Sequence, residues 1–173
     1  SIISIDEASR LLERGENLEQ QYFVVTFDDG YRNFLTDAYP ILKREKIPAI
    51  LYLNTSYLEF PDAVPIDDRV GFSKHLQPLS WDDARLLNTD ELITIGCHCH
   101  LHEELVRLPD ETIKRDIDIS LSILGKELKI KPKHFCYPRG MYNKRVIMCI
   151  KTYFQSAVIT VFDGEPVNSI KNN

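Results

Sequence analysis

Three polar clusters in this sequence carry side chains able to bind a metal ion or move a proton. They are Asp28-Asp29-Gly30, Cys97-His98-Cys99-His100-Leu101-His102 and Tyr137-Pro138-Arg139-Gly140. Three of the chain's five histidines fall within the second cluster, a density that favours ligation over isolated, satisfied imidazoles. His98 and His102 are four residues apart. On a strand they would stand about 13 Å apart, beyond the reach of one ion whose ligand bonds are near 2 Å. In a helical or turned backbone the same spacing brings them within about 6 Å. The strand feeding them is therefore expected to end near Gly96 or His98, with a turn before His102. His100 points elsewhere and reads as a supporting or surface residue. A structural zinc site built on Cys97 or Cys99 is the rival, weakened because those cysteines alternate with the histidines and would face the other way.

Asp29 can complete a set of two histidines and one carboxylate that leaves positions open for water and substrate. Asp28 then remains to take a proton from metal-bound water, whose pKa zinc brings toward about 7. Gly30 permits a tight backbone turn beneath such a ligand. Taken alone, Asp-Asp-Gly reads as an ordinary capping turn; the histidine cluster argues against that.

Elements able to position these residues follow from the apolar pattern. Short apolar runs at 22–27, 49–53, 92–95, 135–137 and 157–162 read as buried strands. Between them lie helical signals. Ser4 and Glu7 have capping-box spacing ahead of Ile5, Ala8, Leu11 and Leu12, with Gly15 to end the helix. A second helix runs through Ile41, Leu42 and Glu45, with Pro40 in its first turn. Ser80 caps a helix carrying Ala84, Leu86 and Leu87. Pro109 or Asp110 opens a longer one with Ile113, Ile117, Leu121 and Leu124 on one face. A last helix spans 141–153. Strand alternating with helix predicts a parallel α/β sheet with right-handed crossovers. All three polar clusters then emerge at its C-terminal edge, where such folds place active sites. The stretch 54–79 reads as one long irregular segment that could wall a substrate groove.

The 173 residues fit one domain, 1–173, with 43% hydrophobic and 27% charged residues, as in an ordinary globular protein. A formal net charge of −5 argues against a nucleic-acid or anionic-membrane partner and suits a neutral substrate better than a phosphorylated one. No apolar run reaches the roughly 18 residues of a membrane span. No basic-then-apolar leader follows Ser1 and there is no initiating Met, so an upstream segment is left open. Cys97, Cys99, Cys136 and Cys149 lack CxxC spacing and read as free buried thiols. The compartment, cytoplasm or cell envelope, stays open, as does the oligomeric state.

Thr26-Phe27-Asp28-Asp29-Gly30, Ile95 to His102 and Phe135-Cys136-Tyr137-Pro138-Arg139-Gly140 resemble the first three motifs of polysaccharide deacetylases, the NodB-homology family. Ile47-Pro48-Ala49 and Leu79-Ser80-Trp81 resemble that family's connecting regions. The similarity runs in order along nearly the whole chain. It implies a distorted, incompletely closed (β/α) barrel. The implied reaction removes acetyl groups, N-acetyl ahead of O-acetyl, from a poly- or oligosaccharide. Within the resemblance, Asp28 is the catalytic base, and Asp29, His98 and His102 hold a divalent metal, usually zinc, with cobalt an alternative. The backbone N–H of Arg139 falls where the family holds the tetrahedral oxyanion.

The match has departures. Cys136 stands where many members have an arginine that orients the base, and Cys97 and Cys99 replace the more usual Ser and Thr. The late Leu-x-x-His motif, which supplies the family's general acid, does not occur before Asn173. Five strands cannot close a typical barrel. Either the chain is a fragment, truncated at one or both ends, or the leaving amine is protonated from elsewhere; His75 and His134 have no motif support for that role. The rival from another class is an inactive saccharide-binding module that keeps the metal. A phosphoesterase would need more ligands than the three motifs supply. Tyr57, Phe60 and Phe72 in the 54–79 stretch could stack on sugar rings.

Overall fold

The computed structural model describes residues 1–15, 20–63 and 77–160. Five parallel strands form one sheet: β1 (Val25–Phe27), β2 (Ala49–Leu53), β3 (Ile93–Cys97), β4 (His134–Cys136) and β5 (Ser156–Val158). They lie side by side in chain order, so every crossover steps the same way and the sheet curls into part of a (β/α) barrel. The helices are α1 (Ile5–Arg14), α2 (Tyr39–Glu45), α3 (Thr55–Glu59), α4 (Trp81–Asn88), α5 (Asp110–Leu128) and α6 (Lys144–Ile150).

Interior strand β2 is buried along its whole length, as a strand covered on both faces must be. Its alternation serves two cores. Leu51 and Leu53 pack with Cys97, Ile113, Ile117, Leu124 and Phe135 beneath the helices. Ile50 and Tyr52 turn to the other face with Cys136 and Ile5. Ile5 comes from α1, whose Asp6 Oδ1 lies 3.3 Å from Nε2 of His134 at the start of β4. Helix α1 therefore covers the N-terminal end of the sheet, leaving the C-terminal end for the three polar clusters.

Local signals place most of these elements. Ser4 caps α1 through the Glu7 N–H, and Gly15 closes it in the left-handed conformation. Leu12, however, is 74% exposed, so only part of that helix's apolar face is used. Ser80 and Asp83 form a complete capping box on α4. Pro40 does sit in the first turn of α2, but one π-helical turn, Phe34–Ala38, runs straight into that helix. A wide turn absorbs the hydrogen bond that proline cannot donate. Two expectations need correction. The segment 54–79 is not irregular throughout: Asn54 caps the Tyr57 N–H and opens α3. The last helix starts at Lys144 because Asn143 caps Val146 there, which leaves Met141 and Tyr142 before it. Strand β3 runs past the apolar run 92–95 to Cys97, within the end expected near Gly96 or His98. Phe72, His75 and positions 161–162 lie outside the described residues.

Candidate metal and catalytic site

Asp28 and Asp29 leave β1, His98 leaves β3 and Tyr137 leaves β4, all at the same edge. The turn after Phe27 is tight: Asp29 has φ of 72° and Gly30 φ of 82°. A Cβ on Gly30 would stand 2.7 Å from Leu53 Cδ2, so a larger residue there would be strained at that φ and would have to displace the Leu53 side chain. After Cys97 the strand ends, and left-handed Cys99 (φ 64°) and His102 (φ 57°) fold the chain back. Non-glycine residues in that conformation are uncommon and tend to gather at functional sites.

The result is a three-sided cluster. Asp29 Oδ1 lies 3.4 Å from His98 Nε2 and 3.2 Å from His102 Nε2, and the two Nε2 atoms are 3.1 Å apart. Ligands of a tetrahedral zinc at about 2.0–2.1 Å stand about 3.3 Å from one another, so the three atoms fit one small divalent ion. Two further facts support the fit. Nδ1 of His98 lies 2.8 Å from the Cys136 carbonyl, which can only accept; Nδ1 therefore carries the proton and Nε2 presents its lone pair to the cluster. Asp29 Oδ1 is buried without a hydrogen bond, as a metal ligand would be in the absence of its ion. Burial alone would raise the Asp29 pKa, but in the ion-free cluster, where His102 and His98 can carry protons on Nε2, their hydrogen bonds and charge hold it well below the usual carboxylate range.

Asp28 stands beside this cluster, half-buried. Its carboxylate also groups with His98 and Cys136 within 4.8 Å. That second set is a poorer cation site: burial, reinforced by the Asp28 charge, pushes the Cys136 thiol far up. Cys97 and Cys99 face the core, Cys97 Sγ 3.4 Å from Ser120 Oγ, and take no part in either group. Arg139 lies in the turn after β4 with φ of 57°.

Several supporting residues had gone unnoticed in the sequence. Asp116 of α5 accepts the His100 N–H at 2.9 Å and the Leu101 N–H at 3.0 Å, pinning the turn that returns His102 toward His98. Its signal was a lone acid on an otherwise apolar stripe, between Ile113 and Ile117. Thr55 Oγ1 lies 3.0 Å from His100 Nδ1, so His100 is engaged at the start of α3 and outside the Asp29–His98–His102 group. Asn54 Nδ2 donates to the His98 carbonyl at 3.3 Å. Thr160 Oγ1 donates to Asp28 Oδ2 at 2.8 Å. One expectation fails, and the exclusion of His134 stands. Tyr57 is 5% exposed, with its ring 5.7 Å from that of His102, so it is packed rather than open to a sugar. His134 sits at the far end of β4 against Asp6 and Ser156, remote from any leaving group. Phe60 is 58% exposed.

A one-way parallel sheet thus gathers two imidazoles, a carboxylate and a second acid at its C-terminal edge. The chain belongs to the polysaccharide deacetylase family, whose model matches residues 15–154. YxkH of Bacillus subtilis (strain 168) is 25% identical over 155 residues, covering 89% of this chain and 50% of that protein. The poly-beta-1,6-N-acetyl-D-glucosamine N-deacetylase of Escherichia coli (strain K12) is 31% identical over 102 residues, 57% of this chain and 14% of that enzyme. The Streptococcus pyogenes deacetylase PplD, solved with acetate, superimposes with a TM-score of 0.73 at 22% identity, covering 92% of this chain and 65% of PplD. The chain thus spans about half the length of YxkH. Its fold is that of the incompletely closed (β/α) barrel deacetylases.

Proposed function

We propose that this chain forms the metal-dependent catalytic part of a deacetylase that removes N-acetyl groups from a poly- or oligosaccharide. The observation that carries the reading is the convergence of Asp29 Oδ1, His98 Nε2 and His102 Nε2 beside the carboxylate of Asp28. Asp29, His98 and His102 would hold a divalent ion, zinc on the chemistry of these donors, and when bound it would supply Lewis acidity to the acetyl carbonyl and to the attacking water. Asp28 accepts the water's proton as general base. The backbone N–H of Arg139 is assigned to the oxyanion, a task independent of its side chain. N-acetylated glucosamine polymers are favoured because the family relatives carry that substrate in their names. The general acid is not assigned to any residue of 1–173.

The test is acetate release from N-acetylated glucosamine oligomers of β-1,6 and chitin type, with zinc or cobalt supplied to the full-length protein. Turnover that collapses in Asp28→Asn while the metal stays bound supports the assignment. Metal and glycan binding without acetate release, indifferent to Asp28→Asn, would instead establish an inactive binding module.

A further inference from the structure

We propose that Thr160 is the positioning residue for Asp28: its hydroxyl holds one carboxylate oxygen so that the other faces the attacking water. The assignment rests on the reading of Asp28 as general base. Thr160 Oγ1 donates to Asp28 Oδ2 at 2.8 Å across 132 residues of sequence. The contact joins the C-terminal ends of β1 and β5, the first and last strands of the sheet, which the curl of the sheet brings together.

The segment bearing Thr160 is itself held. Val158 pairs with Cys136 in the β4–β5 ladder, and the Tyr137 N–H donates to the Val158 carbonyl at 3.0 Å. Thr160 then passes against the turn after β4, where a Cβ on Gly140 (φ 66°) would stand 2.1 Å from the Thr160 carbonyl oxygen. Glycine at 140 is thus what lets Thr160 come close enough to reach Asp28. Thr160 links the turn carrying Arg139 to the base.

The experiment compares Thr160→Val and Thr160→Ser in the full-length, metal-loaded protein. Removing the hydroxyl while keeping the shape should lower kcat about 10- to 100-fold, as expected when a base loses its alignment. KM and metal content should stay within about twofold of the parent, and Thr160→Ser should retain kcat within about threefold. In an Asp28→Asn background, Thr160→Val should leave the residual rate where it is, because groups acting as a unit are not additive. Should Thr160→Val fold poorly, Thr160→Ala serves the same comparison. An active parent whose kcat is indifferent to loss of the hydroxyl overturns the assignment, as does an equal further loss in the Asp28→Asn background. A parent that releases no acetate overturns the deacetylase reading itself, and this assignment with it.

Discussion

The imidazole of His98 illustrates how one hydrogen bond sets up a ligand. With Nδ1 committed to the Cys136 carbonyl at 2.8 Å, Nε2 is left as the acceptor facing Asp29 and His102. Each of the three cluster residues should therefore be needed for the ion. His102→Ala is expected to reduce zinc affinity at least about 100-fold, beyond what loss of a supporting partner does, as read by competition with a chelating dye. Asp28→Asn should keep the metal and lower kcat by about 10²–10⁴-fold, the usual contribution of a positioned base; paired metal analysis and acetate assay would show the separation. The main residues of this site were legible in the sequence because their types are rare and their spacing restrictive. Thr160 was not, since a lone threonine beyond a strand gives no sign that it will meet residue 28. Tyr57 misled for a related reason: whether an aromatic ring is packed or presented depends on what folds over it.

Elements supply the precision that single residues lack. The turn between His98 and His102 depends on α5, whose Asp116 takes two backbone N–H groups. Asp116→Ala would leave those donors unpaired, at a stability cost of about 1–3 kcal/mol, and should weaken metal binding about 10- to 100-fold; denaturant melts and dye competition measure the two effects. Asp90 plays a comparable part at the entrance to β3. It accepts from Tyr39 Oη at 2.6 Å and the Leu92 N–H at 3.0 Å, with Lys43 Nζ 3.0 Å away. These partners, Tyr39 foremost, lower its pKa from 3.8 to about 2. A carboxyl depressed by folding stabilises above its unfolded value and loses that contribution as pH falls through the folded one. Wild type should exceed Asp90→Asn by about 1–2 kcal/mol at neutral pH, the gap shrinking between about pH 4 and pH 2 in urea melts at each pH. Strand and helix types were readable from apolar runs and caps. Their ends were harder, because Asn54 and Asn143 start helices through side-chain bonds that compete with plain loop readings.

At the scale of the whole molecule, strand order and charge decide what the site can become. Sequential parallel strands gather every cluster at one edge, and that arrangement was predictable from the alternation of strand and helix. The curl of the sheet was implied by the resemblance to an incompletely closed barrel, but the meeting of residues 28 and 160 was not, since nothing local encodes that contact. Binding an ion at the junction of β1 and β3 should stabilise the fold globally, by about 2.7 kcal/mol at a hundredfold excess over Kd. Differential scanning calorimetry with zinc should show a raised Tm that His98→Ala abolishes.

The central claim is that Asp29, His98 and His102 share one divalent ion with Asp28 free beside it. Anomalous diffraction at the zinc edge, from crystals of the zinc-loaded protein, tests this directly. The account predicts one strong peak about 2.0–2.2 Å from Asp29 Oδ1, His98 Nε2 and His102 Nε2. A peak lying instead among Asp28, His98 and Cys136, or no peak at full zinc loading, would contradict it.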